Sequence, residues 1–468
     1  MKTEDICWAG VDQLRAALRS GQLTTTQLVE TLLDRIETLD PSARAFVDVY
    51  AEEAQARAAE CDRQPGTEAL HGIPYALKDL IDVKGRRTSA GSAVFSDNIA
   101  TDDAEVVSRL YRAGGVCLGK ANLHEFAYGA TGENELFGTA VNAYDASRLA
   151  GGSSSGSAAA VAWGLVPFAL GTDTGGSVRS PAALSGLVGL KPTYGLLPMQ
   201  GVVPYSWSLD HLGILARSVS DCAAVFEALT DPKMSGQSSG GVRTQSAWAS
   251  LMAGTALRGK TIGVPREFFY DNVDEEVLAA TENVIDFLKR AGVSVKEVAT
   301  PDLRFARTVS LTIQMPEALS FHMPWLEKRP EAYGEDFRTG LALGQQLLAE
   351  HYVRAKRFMT IYREEVDRAF ETVDALITPS TPIVAPRVGT IDVSINGMTE
   401  PVGNAMMRFT NFFNTTGHPA ISVPSGMHSS GLPMGVQLVG RAFGEWELFA
   451  FAQAINAESA FKLPRPAV

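Results

Sequence analysis

Apolar residues spaced at three and four alternate along the chain with short continuous apolar runs, the pattern of helices laid against buried strands. Residues 25–39 read TTQLVETLLDRIETL, with Leu28, Leu32 and Ile36 at steps of four, Val29 and Leu33 beside them, and threonines placed to cap a first turn. This predicts an amphipathic helix. A second helix is predicted over Asp102–Ala113, opened by acidic residues and closed by Gly114 and Gly115, after which VCLG reads as a short buried strand. Helical patterns recur at Glu275–Arg290 and Trp446–Ala457. Strand-like runs fall at Ile73–Leu77, Phe168–Leu170, Thr261–Val264, Val293–Val298, Ala375–Ile377, Ala420–Val423 and Gly435–Val439. The alternation predicts an α/β fold: a large mixed, mostly parallel twisted β-sheet covered on both faces by α-helices.

Two stretches break the pattern with loop composition, the Gly- and Ser-rich Asp231–Gln245 and the Pro-rich Pro379–Pro386, and both are expected as long surface loops. Neither marks a domain boundary and no solenoid-length repeat recurs, so a single domain over residues 1–468 is expected. The longest uncharged stretch, from Arg148 to Asp173, could span a bilayer by length, but it is filled with Gly and Ser and broken by Pro167. It reads as a buried loop, helix and strand.

Composition narrows the function without choosing it. With 468 residues, 45% of them hydrophobic and 20% charged, the chain can build a sizeable core and matches neither disordered nor fibrous proteins. A net charge of -12 offers no basic footprint for DNA or RNA, so direct nucleic-acid binding is not expected, nor is a membrane partner. Cys7, Cys61, Cys117 and Cys222 stand far apart with no C-x-x-C pair, as reduced thiols of a cytoplasmic protein would. Glu4 and Asp5 occupy the place where an export signal would carry basic residues.

The chemistry concentrates in LAGGSSSGSAAAVAWGLVPFALGTDTGGSVRSP, residues 149–181, where two Gly-Ser clusters are joined by small residues, with Lys78 upstream in IPYALKD. Tight turns without chemistry would explain one such cluster, but two beside a buried-looking Lys-Asp pair ask for more. A phosphate loop would need a lysine after the glycines, and Gly156 is followed by Ser157 and alanines. Nucleophilic catalysis remains, in two forms. Gly152 to Gly156 fits the G-x-S-x-G elbow of α/β-hydrolases with Ser154 as nucleophile, a reading that needs a downstream acid and histidine, for which His211 and His418 sit in the most conspicuous contexts. The other form uses both clusters and takes Lys78 as the base.

HGIPYALKD around Lys78, GGSSSGS around Ser153 and GTDTGGSVRSPAALSGLVGLKPT around Ser177 resemble the three catalytic segments of the amidase signature hydrolases. The likeness continues through SLDHLGILARSVSD, ALITPSTP and NTTGHPAISVPSG to GLPMGVQLVG, and is weakest between about residues 231 and 370. It implies the amidase signature fold, with a catalytic core at about 70–220 and a more variable substrate-side region at about 231–370. By position, it implies Ser177 as nucleophile, Ser153 as a bridging serine across a cis peptide with Gly152, and Lys78 as the distal base. Lys78 would have to be neutral, which burial favours. Backbone amides across Thr174, Gly175, Gly176 and Ser177 would hold the oxyanion. Ser154 is expected to support the relay, and Asp173 with Arg179 to form a buried ion pair bracing the oxyanion loop. Asp79 is expected as a structural carboxylate, and His71 and His124 as structural histidines without metal-ligand spacing. No metal and no cofactor are required.

The function so implied is hydrolysis of a small-molecule carboxamide to a carboxylic acid and ammonia or an amine. The alternative within the family is the glutaminase subunit of a tRNA-dependent amidotransferase complex; an esterase built on Ser154 is more remote. In the glutaminase pattern an acidic residue stands near the point aligned with Met407, which Met407 and Arg408 do not supply, and His418 stands where an apolar residue is usual. This favours a free-standing amidase, with a small amide as its partner and a homodimer left open. Pocket walls are expected from Tyr205–Asp210, Leu311–Phe321 and Met406–Phe413.

Overall fold

Strands that are apolar at every position need cover on both faces, and this chain gathers them into one sheet. The structure, a computed structural model, describes residues 2–64, 66–230 and 257–468. The strands are β1 (Phe46–Val49), β2 (Pro74–Lys78), β3 (Val116–Ala121), β4 (Phe168–Asp173), β5 (Val188–Lys191), β6 (His211–Ala216), β7 (Thr261–Val264), β8 (Ser294–Glu297), β9 (Ala375–Pro379), β10 (Asp392–Ile395), β11 (Met398–Pro401), β12 (Ala420–Met427) and β13 (Pro433–Gly440). Eleven of them form a sheet in the order β1-β3-β2-β4-β6-β5-β12-β13-β9-β7-β8, and β10 and β11 pair separately. Every residue of β2, β4, β5, β6, β9 and β13 is buried, so helices and loops cover both faces of the middle of the sheet. The edge strand β8 exposes Lys296 and Glu297, charges that discourage pairing with another chain.

The sheet is mixed as expected, but its weighting is corrected. Only β3-β2-β4 and β9-β7-β8 are parallel groups, and the other six pairings are antiparallel. The physical reason lies in the connections. β12 and β13 are joined by a tight turn, which forces antiparallel pairing, and β5 and β6, which apolar runs alone did not reveal, pair antiparallel to each other.

The helix predicted from residue 25 runs over Thr25–Ala43 and buries Leu28, Val29, Leu32 and Ile36. Its start is set by a reciprocal cap: Gln27 N donates to Thr24 Oγ1 (3.1 Å) and Thr24 N donates to Gln27 Oε1 (3.0 Å). The second predicted helix begins later than expected, at Glu105, and ends at Arg112. Between Arg148 and Asp173 the expected loop, helix and strand are present, with the helix at Ser155–Ala162 and every residue of helix and strand buried. Small residues let that helix approach the sheet; a Cβ on Gly156 would stand 2.2 Å from Asn122 N and 2.4 Å from Ala45 O.

Pro379–Pro386 is not the surface loop its composition suggested. Thr381 and Ala385 are buried, and the segment is tied inward by Leu149 N to Pro386 O (2.9 Å) and Asp274 N to Pro382 O (2.9 Å). Asp231–Gln245 lies outside the described residues. All four cysteines are unpaired, three of them buried. No helix among the described residues is long and apolar enough to cross a membrane.

Two substitutions grade these constraints. Thr24→Ala removes only the cap and is expected to lower the urea midpoint by the equivalent of about 1 kcal/mol. Gly156→Ala forces a Cβ into backbone atoms and is expected to lower it further, since overpacking costs about 1–3 kcal/mol even where side chains can yield.

Candidate functional site

Parallel pairing brings the ends of β2 and β4 side by side, and with them Lys78, Thr172 and Asp173. Lys78 is fully buried, and its Nζ donates to Ser153 Oγ (2.7 Å) and Thr172 Oγ1 (2.8 Å). Burial pushes its pKa down to about 7, against the opposing pull of the Asp210 and Asp173 charges. The two Gly-Ser clusters meet through their backbones, Ser154 N donating to Ser177 O (3.2 Å). The Gly152-Ser153 peptide is cis. Ser177 Oγ is buried and, among the described residues, has no hydrogen-bond partner.

Ser177 sits in the turn between β4 and the helix Arg179–Leu184, and Asp173 braces that turn. Its carboxylate accepts from Gly176 N (2.9 Å), Val178 N (3.2 Å) and Arg179 N (3.3 Å), and from Arg179 Nε (3.0 Å) and Nη2 (2.8 Å). Burial alone would raise the pKa of Asp173; the Arg179 charge and hydrogen bonds from Arg179 and Asn414 outweigh it and hold it well below the usual carboxylate range. Arg179 in turn donates to Thr410 O (2.9 Å), Gln437 Oε1 (2.5 Å) and Asn414 Oδ1 (2.6 Å). The expected Asp173-Arg179 pair is therefore present, within a larger network.

Among the four amides expected at the oxyanion position, Gly176 N is already engaged by Asp173. Among the described residues no acceptor takes the amides of Thr174, Gly175 or Ser177, which leaves three donors in place of four. Gly176 itself has φ of 129°, and a Cβ there would stand 1.9 Å from Thr410 Oγ1, so only glycine fits. Thr410 Oγ1 also donates to Gly175 O (2.8 Å), and Thr174 Oγ1 donates to Asp210 Oδ1 (2.6 Å), which pin the loop from both sides. Burial raises the Asp210 pKa to about 7 although Thr174, Tyr205 N and Ser206 N all donate to it.

Ser154 serves the backbone: its Oγ donates to Thr172 O (3.1 Å) and accepts from Thr172 N (3.3 Å). No histidine bonds it among the described residues. His211 Nδ1 contacts Leu209 O (2.7 Å) and Asp173 O (3.2 Å), and His418 Nε2 pairs with Asp367 (3.0 Å), so neither completes an elbow at Ser154. Asp79 is structural, accepting from Ser89 and pairing with Lys120 Nζ (3.0 Å). His71 contacts Cys61 O (3.2 Å) and Glu68, and His124 contacts Asp336 (3.2 Å). No group of residues that could hold a metal occurs among the described residues.

Ser177, Thr174 and Gly175 open onto a cavity of about 940 Å³. Each expected wall segment contributes to it, through Tyr205, through Leu311 with Gln314 and Met315, and through Met407. Sequence reasoning missed Tyr128, Arg307 and Phe337, which also line it. It missed the braces Thr172, Asp210, Thr410, Asn414 and Gln437 as well. The signal for two of them was available: Thr410 and Asn414 are polar residues four apart in the aromatic run FTNFFNTT, and both are fully buried.

Fold and comparison together define an enzyme that hydrolyses amide C–N bonds. The family model for amidases matches residues 27–449, and the chain belongs to the amidase signature family. A glutamyl-tRNA(Gln) amidotransferase component from Symbiobacterium thermophilum is 36% identical over 486 residues, covering 97% of this chain and 98% of that one. A solved chain from a vestigial protein complex, connected with the origins of an s-triazine catabolic enzyme, superposes with a TM-score of 0.89 at 35% identity, covering 97% of this chain and 100% of that one. A solved amidase superposes with a TM-score of 0.87 at 32% identity, covering 96% and 99%.

The Arg179 network yields a stability prediction. Arg179→Ala leaves the Asp173 carboxylate buried without its counter-charge and is expected to cost about 3–5 kcal/mol, read as a fall in the denaturation midpoint.

Proposed function

We propose that this protein hydrolyses a small carboxamide through an acyl-enzyme on Ser177. Neutral Lys78 takes the proton of Ser153, Ser153 takes that of Ser177, and Ser177 Oγ attacks the amide carbonyl. The amides of Thr174, Gly175 and Ser177 receive the oxyanion. Collapse breaks the C–N bond, the proton returns through Ser153 to the leaving ammonia or amine, and water then cleaves the ester by the same relay. The observation that carries this reading is the contact of a buried Lys78, pushed to about 7, with Ser153 Oγ at 2.7 Å, beside an unpartnered Ser177 hydroxyl that lines the cavity. Four unpaired cysteines support the cytoplasm as its compartment.

A second reading rests on kinship. The relative from Symbiobacterium thermophilum is part of an amidotransferase, and on kinship alone the glutaminase reading has the stronger support. It would place the same acyl-enzyme on glutamine and require a partner protein. Met407, an apolar residue lining the cavity beside Gly175, supports the free-standing amidase instead.

Ammonia release from a panel of primary amides and from free glutamine, by the purified chain alone, decides between them. Turnover of amides without a partner is expected; glutamine turnover only with a partner protein would establish the second reading. Ser177→Ala is expected to abolish covalent labelling by a fluorophosphonate, and Ser154→Ala to retain it. The opposite result would return the nucleophile to Ser154.

The pH dependence follows from the lysine. A base with its pKa lowered to about 7 is protonated and inactive below that value and neutral above it. The acylation rate is therefore expected to rise through pH 7 and level off above it. Lys78→Arg, which keeps its proton at all working pH values, is expected to lose about 10³-fold in kcat/KM.

A further inference from the structure

Arg307 is an arginine with little around it to balance its charge. It is the second residue of the helix Ala306–Leu326, where the positive end of the helix dipole disfavours a cation. It is half-buried on the wall of the cavity that Ser177 opens onto. Its Nε is buried and lacks an acceptor among the described residues, and its Nη1 meets Met407 Sδ at 4.0 Å. Among the described residues no carboxylate forms an ion pair with it. Burial pushes its pKa down, with Tyr205 and Tyr128 pulling the other way, yet a guanidinium remains charged at any working pH.

Five acids share the cavity wall, Glu125, Glu133, Glu135, Glu331 and Asp336, and three of them are turned to other partners. Glu125 accepts from Ser92 Oγ (2.5 Å) and Gly334 N (2.9 Å), Glu133 accepts from Gly389 N (2.7 Å), and Asp336 pairs with His124 (3.2 Å). Met407 spans the gap between the arginine and the reacting loop. Its Sδ touches Arg307 Nη1, and it stands 3.3 Å from where a Cβ on Gly175 would lie. Ser177, Met407 and Arg307 thus line one cavity, so an acyl group bound at Ser177 shares it with the guanidinium.

We propose that Arg307 is a specificity residue that binds a carboxylate at the far end of the acyl group, so that the substrates are monoamides of short dicarboxylic acids. This rests on the amidase reading above and names the substrate class for it. A planar fork of N–H donors suits a carboxylate bidentately, and the pair forms in a cavity partly closed to water, where charged hydrogen bonds are strongest. Satisfying the orphaned donors also removes a cost that the free enzyme carries.

The test compares succinamate and glutaramate with butanamide and pentanamide. The wild-type protein is expected to favour the anionic amides in kcat/KM, and Arg307→Met to lower the ratio of anionic to neutral turnover by about a hundredfold. Arg307→Lys keeps the charge without the fork and is expected to lower it by about tenfold. A ratio unchanged in both variants, or a wild-type protein that prefers the neutral amides, overturns the proposal. Calorimetric titration with succinate and glutarate needs no turnover and so separates the arginine from the amidase reading. Binding by the wild type that is lost in Arg307→Met supports the arginine even if no amide is hydrolysed. Equal binding by both proteins, or none by the wild type, overturns it.

Discussion

A lysine buried without a carboxylate in contact is the constraint on which the rest of the site depends. Among the described residues three lysines are fully buried, on neighbouring or nearby strands, and each solves the problem differently. Lys120 on β3 pairs with Asp79 at 3.0 Å. Lys191, ending β5, donates to the carbonyls of Pro192 (3.1 Å) and His418 (2.6 Å), groups that can only accept. Lys78 alone faces two hydroxyls with no carboxylate beside them. A hydroxyl can give a proton as well as take one, so only there can burial turn a structural lysine into a base. Asp173 and Asp210 stand close enough to pull its pKa back up, but neither forms an ion pair with it, which leaves the value near neutrality.

That arrangement requires a rigid surround, and the sheet supplies it. Parallel pairing of β2 with β4 sets Lys78 beside Thr172, and the antiparallel register of β4 with β6 sets Asp173 opposite His211. The β4 turn is then fixed by groups from distant parts of the chain: Thr410 on Gly175, Asp210 on Thr174, and Asn414 on Asp173. Loops that carry reacting groups are ordinarily the mobile part of a fold. Here a buried polar network, satisfied at nearly every atom, holds the loop in one shape.

Much of this was legible in the chain, and the gaps have physical causes. The helix at Thr25–Ala43, the strands β2, β7 and β9, and the three segments that meet around Lys78, Ser153 and Ser177 were readable because periodicity, capping and local glycine patterns are properties of neighbouring residues. Asp210 and Gln437 were not, because each acts on a loop that its own sequence neighbourhood does not mention; Thr410 and Asn414 stood out only as polar residues in an aromatic run, with nothing to say which loop they brace. Pro379–Pro386 misled because proline fixes backbone shape and says nothing of burial. The hairpin β10-β11 was readable and overlooked: Asn396 and Gly397, with φ of 49° and 80°, form the Asn-Gly turn that favours such pairs.

Two arginines show how structural and functional burial differ within one site. Arg179 is fully buried and each of its three nitrogens has an acceptor, from Asp173, Thr410, Gln437 and Asn414. A guanidinium so completely satisfied has nothing left for a ligand, and its work is to hold the Ser177 turn. Arg307 has the same donors and, among the described residues, almost no partners. Folding stability gives no account of an arginine kept in that state, because an apolar residue of similar size would sit there at lower cost. A ligand that carries the missing charge gives one, and the difference between the two side chains is what separates the brace of this site from its specificity.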